Sequence, residues 1–360
     1  MVRSGGTGQR ARRRAMTDDA TDAATSRRPG PRIEEVARVA GVSKSTVSRV
    51  INGEPNVSKR ARDAVHRAIE EIGYSPNHAA RTLAGRKANA LALVVSEQGT
   101  RVLADPFFAG VLRGVHAELS GQRIQLLLMM SQSDDHQDLV GYLGGGHVDG
   151  ALVLSLHGAD PLPRMLHDSG LPLVIGGRPL ATVGHVPFVD SDNFTGALLA
   201  ARHLAGLGRE RIATIAGPQD MAVGVDRLSG WRRGLGERRL PADLVVHSDF
   251  TPESGARAMA ELLDRAPDLD AVFVAADIMA LGAIQTLHER GRRVPRDVAV
   301  VGFDDSMMAS TALPPLTTVR QDVEQLGRTM TWRLLAELTG EQGLPPSVLL
   351  PTSTVVRASA

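Results

Sequence analysis

Between Ser43 and Asn52 the sequence places hydrogen-bonding groups along one side of a helical period. Lys44, Ser45, Ser48, Arg49 and Asn52 share a face with two cations and no acid, while Val47, Val50 and Ile51 fall on the other side. Groups of this kind, with no acid among them, are hydrogen-bond donors first. They donate to phosphate oxygens and to base edges, and an arginine at such a site forks onto a guanine. On this reading Arg49 takes a guanine, Lys44 and Ser45 touch base edges, and Ser43, Thr46, Ser48 and Asn52 bond phosphates or bases. The same pattern also fits a three-helix bundle whose polar side is merely solvated.

The elements that must hold this face are legible around it. Ile33, Val36, Ala37 and Ala40 make an apolar stripe on a first helix, with Glu34 and Glu35 in its first turn, where the helix dipole favours anions. Gly41 ends it, and Ser43 caps the second helix, with Val42 and Val47 spaced as a hydrophobic staple. Ser58 opens a third helix that turns Ala61, Val65, Ala68, Ile69 and Ile72 inward and closes at Gly73. Two short helices about a tight glycine turn form a helix-turn-helix whose second helix can lie in the major groove.

The chain has 360 residues, is 42% hydrophobic and 22% charged, and contains no cysteine. A sizeable core is affordable at this length, and disulfide scaffolds, thiolate metal sites and thiol catalysis are excluded. No apolar run approaches the length of a membrane span, and the N-terminus lacks the apolar core of a signal peptide, so a cytoplasmic protein is expected. The formal charge of +1 hides a polarity: residues 1–87 carry 18 Arg and Lys against 9 Asp and Glu, whereas the remainder carries 23 against 31. A basic head on an acidic body points the head alone at a polyanion, although a solvated basic tail would give the same count. Residues 1–31 show no hydrophobic period and read as a disordered basic tail.

Beyond a connector at 75–90, short apolar runs alternate with helical patterns. Strands are expected at Leu91–Val95, Ile124–Met130, Ala151–Leu154, Leu171–Ile175, Ile212–Ala216, Ala271–Ala275 and Val298–Phe303, with helices near 107–120, 136–143, 195–207, 227–238, 254–266 and 278–290. This alternation predicts parallel sheets covered on both faces, and the length suggests two doubly wound lobes. The histidines lack metal-ligand spacing, and no nucleophile elbow, phosphate loop or dinucleotide fingerprint is present. Gly144-Gly145-Gly146 precedes a strand, the wrong order for a phosphate cradle. No enzyme and no cofactor is expected.

The run from Val36 to Gly53, VARVAGVSKSTVSRVING, followed by Gly73-Tyr74-Ser75-Pro76-Asn77 and Ala80-Arg81-Thr82-Leu83, closely resembles the head of the LacI/GalR family of bacterial transcriptional repressors. The similarity continues through most of the chain. Arg32 is a departure, standing where the family usually has a Thr or Ser cap. The resemblance implies a helix-turn-helix domain over 32–76, a hinge helix and linker over 77–87 and an effector-binding body over 88–360. That body has a periplasmic-binding-protein-like architecture, with one lobe at about 88–187 and 322–347 and the other at about 188–321 and 348–360. Residues 75–85 have an N-cap, a proline at the first helical position and a terminal glycine, too short for a helix to stand alone in water. By resemblance, paired hinges of a homodimer enter the minor groove, with Leu83 wedged between base steps and Arg81, Arg86 and Lys87 near phosphates. Tyr74, Asn77 and Ala80 join the DNA-binding set.

Ligands of doubly wound sheets bind at the carboxyl ends of the strands. There Arg227, Phe250, Asp304 and Gln321 match effector-contacting positions of the family, and Phe107 and Phe108 line the opposite lobe. A guanidinium and a carboxylate bridge neighbouring hydroxyls while an aromatic ring covers a sugar's C–H face, so a sugar is the first expectation and a purine or nucleoside the second. Plain roles stay open for some: Phe107 as core, Arg227 as an ion-pair partner. Asp277 reads as a helix N-cap, Asp190 and Asp192 as loop or interlobe residues, and Arg178 as a pocket candidate. Ala276 stands where some sugar-responsive members carry Asn, the stretch 96–105 is longer than the usual loop, and Gly176-Gly177 leaves a wall bare. No leucine-heptad tail follows the strand-like 347–357, so a dimer reading a palindromic operator is expected.

Overall fold

The computed structural model describes residues 31–51, 54–74, 87–131, 136–158, 160–181 and 183–360. The tail expected over 1–31, apart from Pro31, and the hinge expected over 77–87, apart from Lys87, lie outside these residues, as do Asn52, Asn77, Ala80, Arg81 and Leu83. The chain divides into two compact units, Met1–His78 and Ala79–Ala360.

In the first unit α1 (Ile33–Ala40), α2 (Lys44–Ile51) and α3 (Lys59–Ile72) meet around Val36, Val47 and Val65, one fully buried valine from each helix. Gly41 sits at φ 65° and ends α1. Residues with a Cβ adopt this left-handed conformation only at a cost, so glycine turns the chain sharply into α2. Ser43 Oγ accepts from the Thr46 amide at 3.2 Å and Ser58 Oγ from that of Ala61 at 3.3 Å, capping α2 and α3. Arg32 makes no side-chain cap, which forgoes about 1 kcal/mol.

The second unit holds two six-stranded sheets. β1 (Ala90–Val95), β2 (Gln125–Met130), β3 (Gly150–Leu154), β4 (Leu173–Gly176), β5 (Phe188–Ser191) and β11 (Ser347–Leu350) form the first, in the order β11-β5-β4-β3-β1-β2, all parallel. β6 (Ile212–Ala216), β7 (Val245–His247), β8 (Ala271–Val274), β9 (Ala299–Asp304), β10 (Thr317–Gln321) and β12 (Thr352–Val355) form the second, in the order β12-β10-β9-β8-β6-β7. Here β12 alone runs antiparallel, against β10. In the first sheet Leu93 lies opposite both Leu128 and Leu152.

Helices cover both faces, which is why the central strands are continuous apolar runs. α5 (Pro106–Leu119) and α13 (Val323–Leu338) pack Val111, Val115, Met330 and Leu334 on one side of the first sheet. α6 (His136–Tyr142) and α7 (Leu162–Asp168) cover the other with Leu139, Leu162 and Leu166. The second sheet lies between α8 (Asn193–Gly206) with α9 (Ala222–Glu237) and α10 (Pro252–Arg265) with α11 (Asp277–Glu289). Short helices α4 (Gly99–Ala104) and α12 (Met307–Thr311) complete the unit.

The lobe boundaries differ from the sequence reading. Phe188–Ser191 and Ser347–Leu350 pair with each other in parallel register at the edge of the first sheet, so the first lobe runs through Ser191 and again through Leu350 rather than stopping at 187 and 347. The single strand expected over 347–357 is two strands in different sheets, separated by Pro351, which has no N–H for a ladder.

Candidate functional site

The polar face of α2 is exposed and lightly held. Lys44 Nζ reaches Glu34 Oε1 at 2.5 Å, and Arg49 Nε lies 3.9 Å from Glu54 Oε2. Both pairs are open to solvent, where ion pairs are weak and easily exchanged for other anions. Ser43 Oγ sits 2.8 Å from both Ser45 Oγ and Thr46 Oγ1, so the hydroxyls at the start of α2 form one cluster. Lys44, Ser45 and Arg49 are exposed, Thr46 and Ser48 half-buried. Tyr74 packs its ring on the three-helix core. Lys87 Nζ donates to the Leu338 carbonyl at the end of α13, 3.3 Å away, so it is engaged with the body.

In the second unit the carboxyl ends of the strands from both sheets face a cleft with about 800 Å³ of empty space, part of it open to solvent. Phe107, Phe108, Arg227, Phe250, Asp304 and Gln321 all line it. Arg227, on the second turn of α9, is 4% exposed. Its Nε donates to Asn193 Oδ1 at 2.9 Å, its Nη1 donates to the Ala275 carbonyl at 2.5 Å and lies 3.6 Å from Asp304 Oδ1. The guanidinium also rests 3.6 Å from the centroid of Phe303, a cation–π contact. Burial pulls its pKa below the ordinary arginine value, against the nearby carboxylates.

Asp304 closes β9 at φ 118°, a strained conformation for a residue with a side chain. Its neighbour Asp305 is gripped by Arg320 Nε and Arg357 Nη2, each at 2.6 Å, which fixes the turn. Asp304 Oδ1 accepts from Gln321 Nε2 at 2.6 Å, and burial pushes its pKa up to about 8 against the pull of Arg227. Asp190 accepts from the amides of Arg178 (2.9 Å) and Ser191 (2.8 Å) and from Asn193 Nδ2 (3.0 Å), yet burial still raises it to about 6. Phe250 also holds a positive φ, 64°. It stacks where Gly217 leaves room, since a Cβ there would come within 2.4 Å of its ring. Phe107 and Phe108 meet edge to face, 5.3 Å between centroids, and Asp105 caps their helix by accepting from the Phe107 amide at 2.9 Å.

Cross-cleft bonds tie the lobes together. Arg178 of the first lobe grips Asp226 of α9 through both oxygens, the shortest contact being 2.7 Å. His157 Nε2 lies 2.9 Å from Glu97 Oε1, and its Nδ1 lies 2.9 Å from Asp220 Oδ2 on the second lobe. Both nitrogens can donate only from an imidazolium, and the hydrogen bond to Glu97 is the main cause of its raised pKa. A guanidinium, carboxyls, an amide and aromatic faces together can hydrogen-bond hydroxyl groups and cover an apolar ring face; among the described residues no cluster could hold a metal ion.

The profile of bacterial regulatory proteins of the lacI family matches residues 32–77, and that of the periplasmic binding protein-like domain matches 201–360. The HTH-type transcriptional regulator CelR of Thermobifida fusca is 51% identical over 337 residues, spanning 92% of this chain and 99% of that one. The chain belongs to the LacI family of bacterial transcriptional regulators. A solved complex of CelR with cellobiose has 49% identity and a TM-score of 0.73, covering 92% of this chain and 100% of that one. The lac repressor dimer bound to operator and the anti-inducer ONPF has 29% identity and a TM-score of 0.80, covering 92% and 99%.

Ala276 lines the cleft with a methyl group where some LacI-family members have an amide, and Gly176 and Gly177 form a wall as expected. Phe107 lines the cleft and is not plain core. Arg227 does not open its helix, since α9 begins at Ala222. Asp277 is no cap for its own helix: it is fully buried at the first helical position and accepts from Thr318 Oγ1 (2.6 Å) and the Ser306 amide (2.8 Å), tying α11 to β10. Asp192 caps α8 through the Thr195 amide, while Asp190 and Arg178 line the cleft. The sequence missed Arg101 and Asn193, which also line it. The unusual length of 96–105 was the available signal for Arg101; Asn193 offered none.

Proposed function

We propose that this chain is a repressor that binds a palindromic operator as a homodimer in the cytoplasm and is released by a small disaccharide of the cellobiose type. The observation that carries the reading is the convergence of Arg227, Asp304, Gln321 and three phenylalanines on one interlobe cleft. The solved cellobiose complex of CelR, at 49% identity, supports a sugar of this class. The exposed donors Lys44, Ser45 and Arg49 of α2 read bases in the major groove, and Ser43, Thr46 and Ser48 hold the backbone. Asn52, Tyr74, Asn77, Ala80, Arg81 and Leu83 extend the contact. Ligand closes the cleft and shifts the dimer away from the arrangement that grips DNA.

Thermal shift and calorimetry against cellobiose, glucose and hypoxanthine test the ligand class, because a molecule that binds only the native state raises the melting temperature. Cellobiose binding with lowered operator affinity supports the reading. Binding of hypoxanthine alone, with raised operator affinity, would replace it with a purine-dependent corepressor.

A further inference from the structure

The cleft contains a second polar cluster that shares no hydrogen bond with the Arg227 network. Arg101, on α4, lines the cleft and pairs through Nη1 with Glu97. Glu97 is held in turn by Ser155 Oγ and His157 Nε2, each at 2.9 Å, so the carboxylate that positions the guanidinium is itself fixed. The guanidinium stands 5.4 Å from the centroid of Phe250, placing donors beside an aromatic face. Arg101 Nε is buried with no acceptor, a deficit that a ligand hydroxyl can fill as the lobes settle around it. Ser155 lines the same part of the wall.

We propose that Arg101, with Ser155 beside it, forms a second sugar subsite and makes the protein select a two-ring sugar over a single ring. This rests on the disaccharide reading above. The Arg227–Asp304–Gln321 network serves one ring and the Arg101–Ser155 cluster the other, with Phe250 packing against the ligand between them. The Arg227 network and the Arg101–Ser155 cluster line one and the same cleft, whose empty space of about 800 Å³ includes its solvent-open mouth. Arg101 arises from the long segment between β1 and α5, whereas Ser155 directly follows the carboxyl end of β3, so the subsite joins that segment to a strand end of the first lobe.

Calorimetry on the full chain with cellobiose and glucose tests it, using wild type, Arg101→Ala and Arg101→Lys. Wild type is expected to prefer cellobiose. Arg101→Ala is expected to lose about ten- to hundredfold in cellobiose affinity while glucose affinity changes less than about twofold, in line with loss of a hydrogen bond from a charged group. Arg101→Lys, which keeps the charge but not the fork, should fall in between and guards against misfolding of the alanine variant. Equal losses for both sugars, or unchanged cellobiose binding in both variants, would overturn the subsite while leaving the disaccharide reading intact. A wild type that ignores cellobiose overturns both.

Discussion

Lys44 and Arg49 on α2 and Arg227 on α9 are all cations facing acids, but in opposite settings. The α2 pairs are both exposed, one short (2.5 Å) and one long (3.9 Å), and water competes for every donor. Arg227 is buried among Asn193, Ala275, Asp304 and Phe303, each holding it in place. A surface meant for a polyanion loses little when it exchanges weak local partners for phosphates and base edges. A cleft meant for a small neutral ligand must have its groups aligned beforehand, and buried, strained and pKa-shifted residues are how that alignment is maintained.

The sharpest way to break this contrast is Arg227→Ala. It leaves Asn193 Oδ1 and the Ala275 carbonyl buried without their donor, at about 1–3 kcal/mol each, so denaturant unfolding should report a loss of roughly 2–6 kcal/mol. Sugar binding should disappear while the isolated α2 face is untouched; wild-type sugar affinity in a folded variant would show that Arg227 only braces the fold. Next in size, Arg49→Ala should cost about 1–3 kcal/mol at one base position in a competition assay, with a smaller loss on random DNA. Equal weakening on both would make Arg49 a phosphate contact.

The pH dependence of stability comes third. Asp304 is raised to about 8 and Asp190 and Asp277 to about 6, all chiefly by burial, and His157 is raised by its bond to Glu97. The native state therefore holds more protons than the unfolded chain above the ordinary carboxylate range, and stability must fall as pH rises through these values. The His157 bridge acts in the same direction, present in full below the ordinary histidine pKa and lost as pH rises through the raised one. Melting temperature should drop between about pH 5 and pH 8. Asp304→Asn should flatten the upper part of that slope, and an unchanged slope would mean that Asp304 is ionised throughout. The smallest effect is expected from Glu34→Gln. Releasing Lys44 from an exposed pair should leave the melting temperature nearly unchanged and slightly strengthen DNA binding by removing a competing anion.

The two regions also differed in how readable they were. The α2 face, its caps and its valine core follow from local rules, and Val36, Val47 and Val65 occupy the positions their period requires. In the body, strands that are continuous apolar runs were legible. β5, β7 and β10 were not, because Asp190, His247, Thr317, Thr318 and Gln321 interrupt the pattern. α13 was hidden for a related reason: its buried side includes Gly327, Thr331 and Arg333, which hold a helix-packing surface without looking apolar. Arg227 and Asp304 could be marked from strand ends and family likeness, but Arg101 depends on a short helix that neither periodicity nor likeness specified.

In the function proposed above, occupancy of the cleft changes the grip on DNA. Fluorescence anisotropy of the full chain on a palindromic fragment, selected by the protein from random-sequence DNA, tests it directly with and without saturating cellobiose. Operator affinity should fall by about tenfold or more when the sugar is bound, a typical allosteric coupling. Identical affinity with the cleft demonstrably occupied would contradict it.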